Sequence, residues 1–229
     1  MNYSMYRLSA DRNFKFIFMG ISIEIVLQIA VLIFSVVVHE VAHGYAALRL
    51  GDPTAKYAGR LTLNPMKHLD MWGSFLVPLF LAISQIGFVF GWAKPVPYNP
   101  YNLKDQRYGP AIVGVAGPLS NLILALISGI SLRILLVTGM ADGLLASIFA
   151  LMFIINIALM VFNLFPIPPL DGSKLLFAFL PISEYTKQML EKNGLVIFLL
   201  FLFLSKGLIG ETILYVVEFF ARYIIGTGL

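Results

Sequence analysis

One stretch decides how this chain folds: residues 36–47, which read VVVHEVAHGYAA. The apolar run before it, residues 14–38, contains few helix breakers and predicts a helix that continues through the stretch. His39 and His43 are four residues apart, so on a helix they lie one above the other on the same face. Two neutral imidazoles at this spacing can bind one Zn²⁺, and Glu40 lies about 100° round the helix, close enough to act on a water at the metal. The alternative is a helix end at a wet interface with solvated histidines, but polar groups in hydrocarbon are costly and need a reason.

The composition predicts an integral membrane protein. Of the 229 residues, 59% are hydrophobic and 12% are charged, and the mean hydropathy is +0.87, whereas a soluble domain carries about 25% charged residues. The formal charge of +4 is small and its basic residues fall in loops, which indicates contact with an anionic lipid surface and no nucleic-acid partner. The chain has no cysteine, which excludes disulfides, thiolate zinc sites and a cysteine nucleophile.

The apolar stretches predict an all-α polytopic membrane protein with about 4–6 membrane segments. We expect a single integral membrane domain over residues 1–229, with a core at about 16–180 and one or two membrane segments at 195–225. The N-terminal apolar stretch has no small-residue cleavage site and is interpreted as a retained anchor. The long helices are predicted at residues 16–50, 110–137 and 143–165.

Two segments between the helices favour extended structure. Residues 57–63, YAGRLTL, alternate in polarity and predict a short β-strand. Residues 92–101, WAKPVPYNPY, are punctuated by prolines, which hold the backbone extended.

A catalytic zinc site needs a third protein ligand, because such sites use three protein ligands and a water. With no cysteine and His68 in a loop, a carboxylate is expected. Asp171 stands out because it follows a proline-broken hydrophobic helix and precedes Gly172, where the backbone can turn sharply. Asp171 could equally be the N-cap of a short helix that begins near Ser173. These residues alone do not choose between ligand and cap.

Several motifs resemble those of the site-2 protease family of intramembrane zinc metalloproteases. The HEVAH motif of residues 39–43 is similar to the family's zinc motif, and residues 163–172, NLFPIPPLDG, are similar to its second motif. The resemblance extends to residues 59–65 (GRLTLNP), 93–97 (AKPVP) and 116–121 (AGPLSN). No PDZ insertion separates the two motifs, so the chain most resembles the compact prokaryotic members.

The resemblance implies a zinc metalloendopeptidase that cleaves within or near transmembrane segments of membrane proteins, embedded in the lipid bilayer of a prokaryotic inner or plasma membrane. One Zn²⁺ per chain would be held by His39, His43 and Asp171, with Glu40 as the catalytic base. Asn163 would stand close to the zinc and contact the substrate or its oxyanion; the alternative for Asn163 is a helix–helix hydrogen bond. His68 is interpreted as a solvated loop histidine in preference to a substrate gate.

The two motifs constrain the topology, because His43 and Asp171 must reach the site from the same side of the membrane. If residues 74–90 crossed, the two following helices would deliver Asp171 to the opposite side. We therefore predict a re-entrant hairpin at residues 74–90. The basic residues concentrate in loops on the site's side, whereas the turn at residues 138–142 holds none, so that side is predicted to be cytoplasmic. Arg7, Arg12 and Lys15 would then face outward if the first helix crosses once, and the alternative is an N-terminal segment that lies along the interface.

The alternative function is a non-proteolytic membrane zinc-binding protein or transporter. A carrier should show paired ligands on several helices and a wet path to both faces, whereas these ligands concentrate toward one face. For a protease, the extended residues 57–63 and 92–101 could offer an edge to an unwound substrate by strand addition.

Overall fold

The computed structural model describes residues 23–70, Leu76 and residues 94–226. These residues form helices joined by turns and extended segments, with no β-strand in the described ranges. The helices are α1 (Ile23–Arg49), α2 (Thr54–Tyr57), α3 (Gly109–Val137), α4 (Leu144–Leu164), α5 (Gly172–Phe179), α6 (Glu184–Lys192), α7 (Gly194–Leu204) and α8 (Leu208–Phe220). Short 3₁₀ turns occupy Pro65–Lys67 and Pro100–Asn102, and a π-helical turn occupies Ala221–Ile225.

Within the part of the chain that the structure describes, three helices, α1, α3 and α4, are long and apolar enough to cross a membrane. Helices α7 and α8 pass the same test only as a pair and are bent by 80° where they join. Lys206 and Gly207 make this break, because their φ angles of 47° and 97° lie in the left-handed region that no helix continues through. The prediction of an all-helical multi-pass membrane protein is confirmed, while the number of membrane segments stays a prediction.

Helix α3 is the centre of the fold and packs against α1, α4 and α5. Its buried side carries many small residues, which let neighbouring backbones approach closely, as the sequence predicts. A Cβ at Gly114, for example, would lie 3.1 Å from the backbone oxygen of Asp171. Further along the same face, α3 contributes Ala125 and Leu132 to an apolar core around Phe153 and Ile157 of α4, both fully buried.

The predicted β-strand at residues 57–63 is wrong. The chain there ends helix α2 and then turns, because the Arg60 amide donates to the Ala55 carbonyl at 3.0 Å. Gly59 takes a φ of 64°, which reverses the direction of the chain. The backbone amides of residues 57–60, which a strand would use for pairing, form hydrogen bonds within this turn instead.

Asp52 fastens the loop after α1 to the loop that precedes α3. Its carboxylate is fully buried and accepts from the Thr54 amide at 3.1 Å, the Asn102 side chain at 2.9 Å and the Asn99 amide at 2.6 Å. Burial alone would raise the pKa of Asp52, but the hydrogen bonds from Thr54, Asn102 and Asn99 together outweigh it and lower the pKa below its usual value.

Two further predictions stand differently. Residues 94–99 belong to no helix, and their prolines and the positions before them hold the backbone extended; the extended segment predicted for residues 92–101 is wrong at its end, because Pro100–Asn102 form a 3₁₀ turn. The re-entrant hairpin at residues 74–90 lies outside the described residues apart from Leu76, and it remains a prediction.

Candidate metal centre

Three ligand-type side chains meet on the inner face of α1. His39 Nε2 lies 3.0 Å from His43 Nε2, and each of these nitrogens lies 3.1 Å from Asp171 Oδ2. All three residues are buried. The group could hold a metal ion, because each residue offers one ligand atom to the same point. The structure thus brings together the three residues that the sequence and the resemblance singled out.

Helix spacing explains the two histidines, and a close backbone approach explains Asp171. Asp171 precedes α5, which doubles back against the end of α4. A Cβ at Gly172 would collide with the carbonyl oxygen of Leu164, so only glycine permits this turn. Asp171 occupies the N-cap position of α5, but its side chain makes no capping hydrogen bond.

The two oxygens of Asp171 face different partners. Oδ2 faces the histidines, whereas Oδ1 accepts from Lys174 Nζ at 2.9 Å. Burial lowers the pKa of Lys174, but the Asp171 carboxylate and the nearby Tyr98 outweigh it, and the pKa lies above its ordinary value. Lys174 is therefore a cation that occupies one carboxylate oxygen and leaves the other for the site.

The group has the donor chemistry of a metal site. His43 Nδ1 lies 2.6 Å from the Val113 carbonyl, which can only accept, so Nδ1 carries the proton. In a neutral imidazole Nε2 then holds a lone pair, and that lone pair faces the carboxylate oxygen of Asp171. Two electron-rich atoms at 3.1 Å repel one another unless a cation lies between them. The donor set therefore fits Zn²⁺, which imidazole and carboxylate ligands bind well.

Gly117 of α3 leaves the space that such an ion needs. A Cβ at this position would lie 2.5 Å from His43 Nε2 and 2.6 Å from His39 Nε2. Every other amino acid would place a carbon atom in front of both nitrogens. The small residue is thus required by the site itself.

Glu40 is half-buried and is held by the extended segment at residues 94–99. Its Oε2 accepts the amide hydrogen of Val96 at 2.8 Å. That amide lies between two prolines, Pro95 and Pro97, which have no N–H to offer. Arg60 holds the segment in turn, because its guanidinium donates to the Lys94 carbonyl at 2.6 Å and to the Pro95 carbonyl at 3.2 Å.

Asn163 and His68 were also singled out from the sequence, and both make their hydrogen bonds away from the His39–His43–Asp171 cluster. The Asn163 amide donates to the Leu159 carbonyl within α4 at 3.0 Å, so contact of Asn163 with a substrate or oxyanion stays a prediction. The interpretation of His68 as a solvated loop histidine is wrong, because His68 is 1% exposed and its Nε2 lies 2.9 Å from the Thr62 carbonyl. The loop folds over His68, whose side chain forms a hydrogen bond within that loop.

A cavity of about 590 Å³ lies beside the cluster on the side of Lys174. Its lining combines aromatic and charged side chains, among them Tyr98, Arg107, Lys174, Phe177, Glu184 and Lys187. Lys174 thus stands between Asp171 and a space open to other molecules.

Several functional contacts were not assigned from the sequence. These are the Val113 carbonyl, Gly117, the amide of Val96, and the side chains of Asn121 and Lys174. The motifs at residues 93–97 and 116–121 contain three of them, Val96, Gly117 and Asn121. A motif does not indicate which residue of another helix its members contact.

Comparison with known proteins identifies the class of this chain. Residues 130–205 match the profile of the family described as "Peptidase family M50". The chain is 38% identical over 192 residues to "Putative zinc metalloprotease YwhC" of Bacillus subtilis, which covers 81% of this chain and 83% of that protein. It is 31% identical over 186 residues to "Putative zinc metalloprotease Rip2" of Mycobacterium tuberculosis strain H37Rv, covering 81% and 69%. A search of the solved structures finds no significant match.

The similarity to these relatives extends over most of the chain and agrees with the cluster just described. The chain belongs to peptidase family M50, the site-2 protease family, and is a membrane zinc metalloprotease. Zinc is the metal of this family, and His39, His43 and Asp171 are the group that could hold it.

Proposed function

We propose that this protein hydrolyses peptide bonds within or near transmembrane segments of membrane protein substrates, as an intramembrane zinc metalloendopeptidase in regulated intramembrane proteolysis. The observation that carries the proposal is the buried His39–His43–Asp171 group, whose two histidines lie on the membrane-length helix α1 with Glu40 next to His39 in the sequence. A buried ligand set with a carboxylate base at hand is costly in a bilayer and has a use in catalysis.

The zinc would be held by Nε2 of His39, Nε2 of His43 and Oδ2 of Asp171. When bound, it supplies a Lewis acid for a water molecule and for the scissile carbonyl. Lys174 keeps Oδ1 of Asp171 occupied at 2.9 Å, so one oxygen of the carboxylate remains for the metal. The three ligands come from α1 and the start of α5, and α3 closes the site behind them.

Glu40 is assigned the movement of protons. Its Oε2 accepts the Val96 amide hydrogen at 2.8 Å, which leaves Oε1 to take the proton of the attacking water and to deliver it to the leaving amine. The same hydrogen bond restricts rotation of the carboxylate, since a base must be held in its productive orientation.

The substrate is proposed to be a transmembrane helix that is locally unwound, because a helix hides its amides in its own hydrogen bonds. The extended residues 94–99 offer less edge than the sequence suggests. The Lys94 amide donates to the His68 carbonyl at 2.9 Å, and the Val96 amide and the Lys94 and Pro95 carbonyls have the partners described above. The Asn99 amide is likewise bound to Asp52 and the Asn99 carbonyl to the Asn102 amide, so strand addition by a substrate would have to use the backbone beyond these six groups.

The site is proposed to lie near the cytoplasmic face of a prokaryotic cell membrane. Support comes from the distribution of charge, because loops on the side of the site are rich in lysine and arginine. The basic residues that the proposed topology assigns to that side are Arg49, Lys56, Arg60, Lys67, Lys94, Lys104, Arg107, Lys174, Lys187 and Lys192.

The decisive experiment is Glu40→Gln, tested on a reporter with a transmembrane substrate segment. Cleavage should fall at least about 10²-fold while bound zinc is unchanged, because Glu40 moves protons and is not a ligand. Glu211→Gln is the matched control, since Glu211 is an exposed carboxylate in the apolar helix α8. Full cleavage by Glu40→Gln would refute the assignment, and zinc transport that survives the substitution without any proteolysis by the wild type would favour a carrier.

A further inference from the structure

We propose that Asn121 and Asn156 are positioning residues that fix which nitrogen of His39 carries the proton, so that the Nε2 lone pair points into the metal site. The inference rests on the proposed role of His39 as a zinc ligand. Neither asparagine is one of the three ligands or the base. Both are fully buried, Asn121 in α3 and Asn156 in α4.

The direction of this hydrogen-bond chain is set at its far end by a backbone carbonyl. The side chain of Asn156 places one polar atom 2.8 Å from the Met152 carbonyl oxygen and 2.9 Å from Ser35 Oγ. A carbonyl oxygen can only accept, so this atom must be the amide nitrogen of Asn156. Its Oδ1 is therefore the atom that faces Asn121.

The same logic passes along the chain to His39. Asn156 Oδ1 can only accept, so the atom of Asn121 that lies 2.8 Å away is the amide nitrogen. Asn121 Oδ1 is then the atom 2.6 Å from His39 Nδ1. Because that oxygen can only accept, Nδ1 must donate, and a neutral His39 holds its lone pair on Nε2.

The tautomer of His43, also with the proton on Nδ1, is fixed separately by the Val113 carbonyl, which lies 2.6 Å from Nδ1. A backbone carbonyl cannot turn round, whereas an asparagine amide can present either end. His39 therefore needs a second residue to orient its partner, and Asn156 supplies that orientation. This explains why two asparagines are buried between membrane helices, where polar groups are otherwise costly.

The series of hydrogen bonds from Ser35 to His39 joins three helices at the metal site. Ser35 and His39 belong to α1, Asn121 to α3 and Asn156 to α4. Reversal of either amide would bring two donors or two acceptors together in a buried environment, which costs more than an ordinary hydrogen bond gains. A role in holding the helices together would tolerate either tautomer of His39, so the tautomer and the zinc affinity separate the two roles.

The first test is zinc affinity of the purified full chain, measured by competition with a chelator. Asn121→Leu removes the acceptor and should weaken zinc binding about 10- to 100-fold, as loss of a partner of a metal-bound imidazole usually does. Asn121→Asp restores an acceptor for Nδ1 and should recover part of the affinity, because its second oxygen replaces the amide nitrogen that donates to Asn156 Oδ1. Ser128→Ala is the matched control, because Ser128 is buried two turns further along α3 and bonds only to the Leu124 and Ala125 carbonyls of that helix.

The second test is a spectrum of the metal-free chain labelled with ¹⁵N-histidine, in which only three histidines can appear; the metal is left out because zinc on Nε2 would by itself hold the proton on Nδ1. His39 and His43 should carry protons on Nδ1, whereas His68 should carry its proton on Nε2, which faces the Thr62 carbonyl. In Asn121→Leu the protected Nδ1 proton of His39 should be lost or shifted upfield, while that of His43 stays. The Asn121→Asp variant should restore the His39 signal.

A folded Asn121→Leu variant with unchanged zinc affinity and an unchanged His39 Nδ1 proton would overturn the proposal. If that variant does not fold, the wild-type spectrum decides. A neutral His39 with its proton on Nε2 is incompatible with the series of hydrogen bonds from Asn156 through Asn121 to His39 Nδ1. His39→Ala separates this proposal from the metal site itself. Zinc that persists in His39→Ala refutes the ligand assignment, whereas zinc that is lost there but unaffected in Asn121→Leu refutes only the role of the asparagines.

Discussion

Replacing Gly117 with alanine should remove zinc without unfolding the protein. The new Cβ would lie 2.5 Å from His43 Nε2 and 2.6 Å from His39 Nε2. Ordinary contact begins at 3.4 Å, so the carbon would be about 0.9 Å too close to His43. Since zinc binds imidazole nitrogen at about 2.0–2.1 Å, the methyl group and the ion would compete for the same space.

The expected free-energy changes indicate that Gly117→Ala lowers zinc affinity much more than stability. Overpacking costs about 1–3 kcal/mol, but alanine gains about 1 kcal/mol over glycine inside a helix such as α3. The net change in the free energy of unfolding should therefore stay within about 2 kcal/mol. Zinc affinity should fall by at least about 10²-fold, because even residues that act on a ligand from behind are worth 10- to 100-fold.

Purified variants in detergent would be compared by metal analysis, chelator competition and thermal unfolding. Gly129→Ala is the matched control, because its Cβ would meet Phe153 and Ile224 of the apolar core at 2.9 Å, away from the histidines. It should lose stability by a similar amount and retain zinc. A Gly117→Ala variant that binds zinc as tightly as the wild type would refute the assignment of the space in front of the two nitrogens to the metal.

Asp171→Ala should lose zinc and cleavage together, and full zinc content in metal analysis of this variant would leave Asp171 no role as a ligand. Single cysteines introduced by Lys67→Cys and Lys104→Cys should react with an impermeant thiol reagent only from the cytoplasmic face, and Gly139→Cys only from outside; labelling of the first two from opposite faces would mean that residues 74–90 cross the membrane. The lowered pKa of Asp52 adds stability above its unfolded value of 3.8, and this stability is lost as the pH falls through the folded pKa. Unfolding of the wild type should therefore become easier at acid pH, whereas Asp52→Asn should be less stable at neutral pH by about 1–3 kcal/mol and show less of this dependence.

Local patterns predicted what local geometry controls. The spacing of His39 and His43 on one helix face follows from 3.6 residues per turn, and the long apolar runs identify α1, α3 and α4 within one or two residues of their observed ends where these are described. Asp171 required the resemblance, because its own surroundings fit a helix cap as well as a ligand.

Contacts between helices could not be predicted in the same way. The pairing of Asn121 with His39 depends on how α3 packs on α1, and no spacing within either helix encodes it. The alternation of residues 57–63 was misleading because the left-handed Gly59 and the turn from Ala55 to Arg60 take precedence over strand propensity. His68 was misjudged because a polar loop residue can be buried when its loop folds back on itself.

The distance along the chain between the ligands has a consequence for biosynthesis. Asp171 follows His39 by 132 residues and His43 by 128 residues. During translation the two histidines enter the membrane long before the carboxylate is made, so a chain interrupted at any point before Asp171 holds only two of its three ligands. If His39, His43 and Asp171 are the ligands, the site is therefore complete only after α1, α3 and α4 have been made and the segment after α4 has emerged.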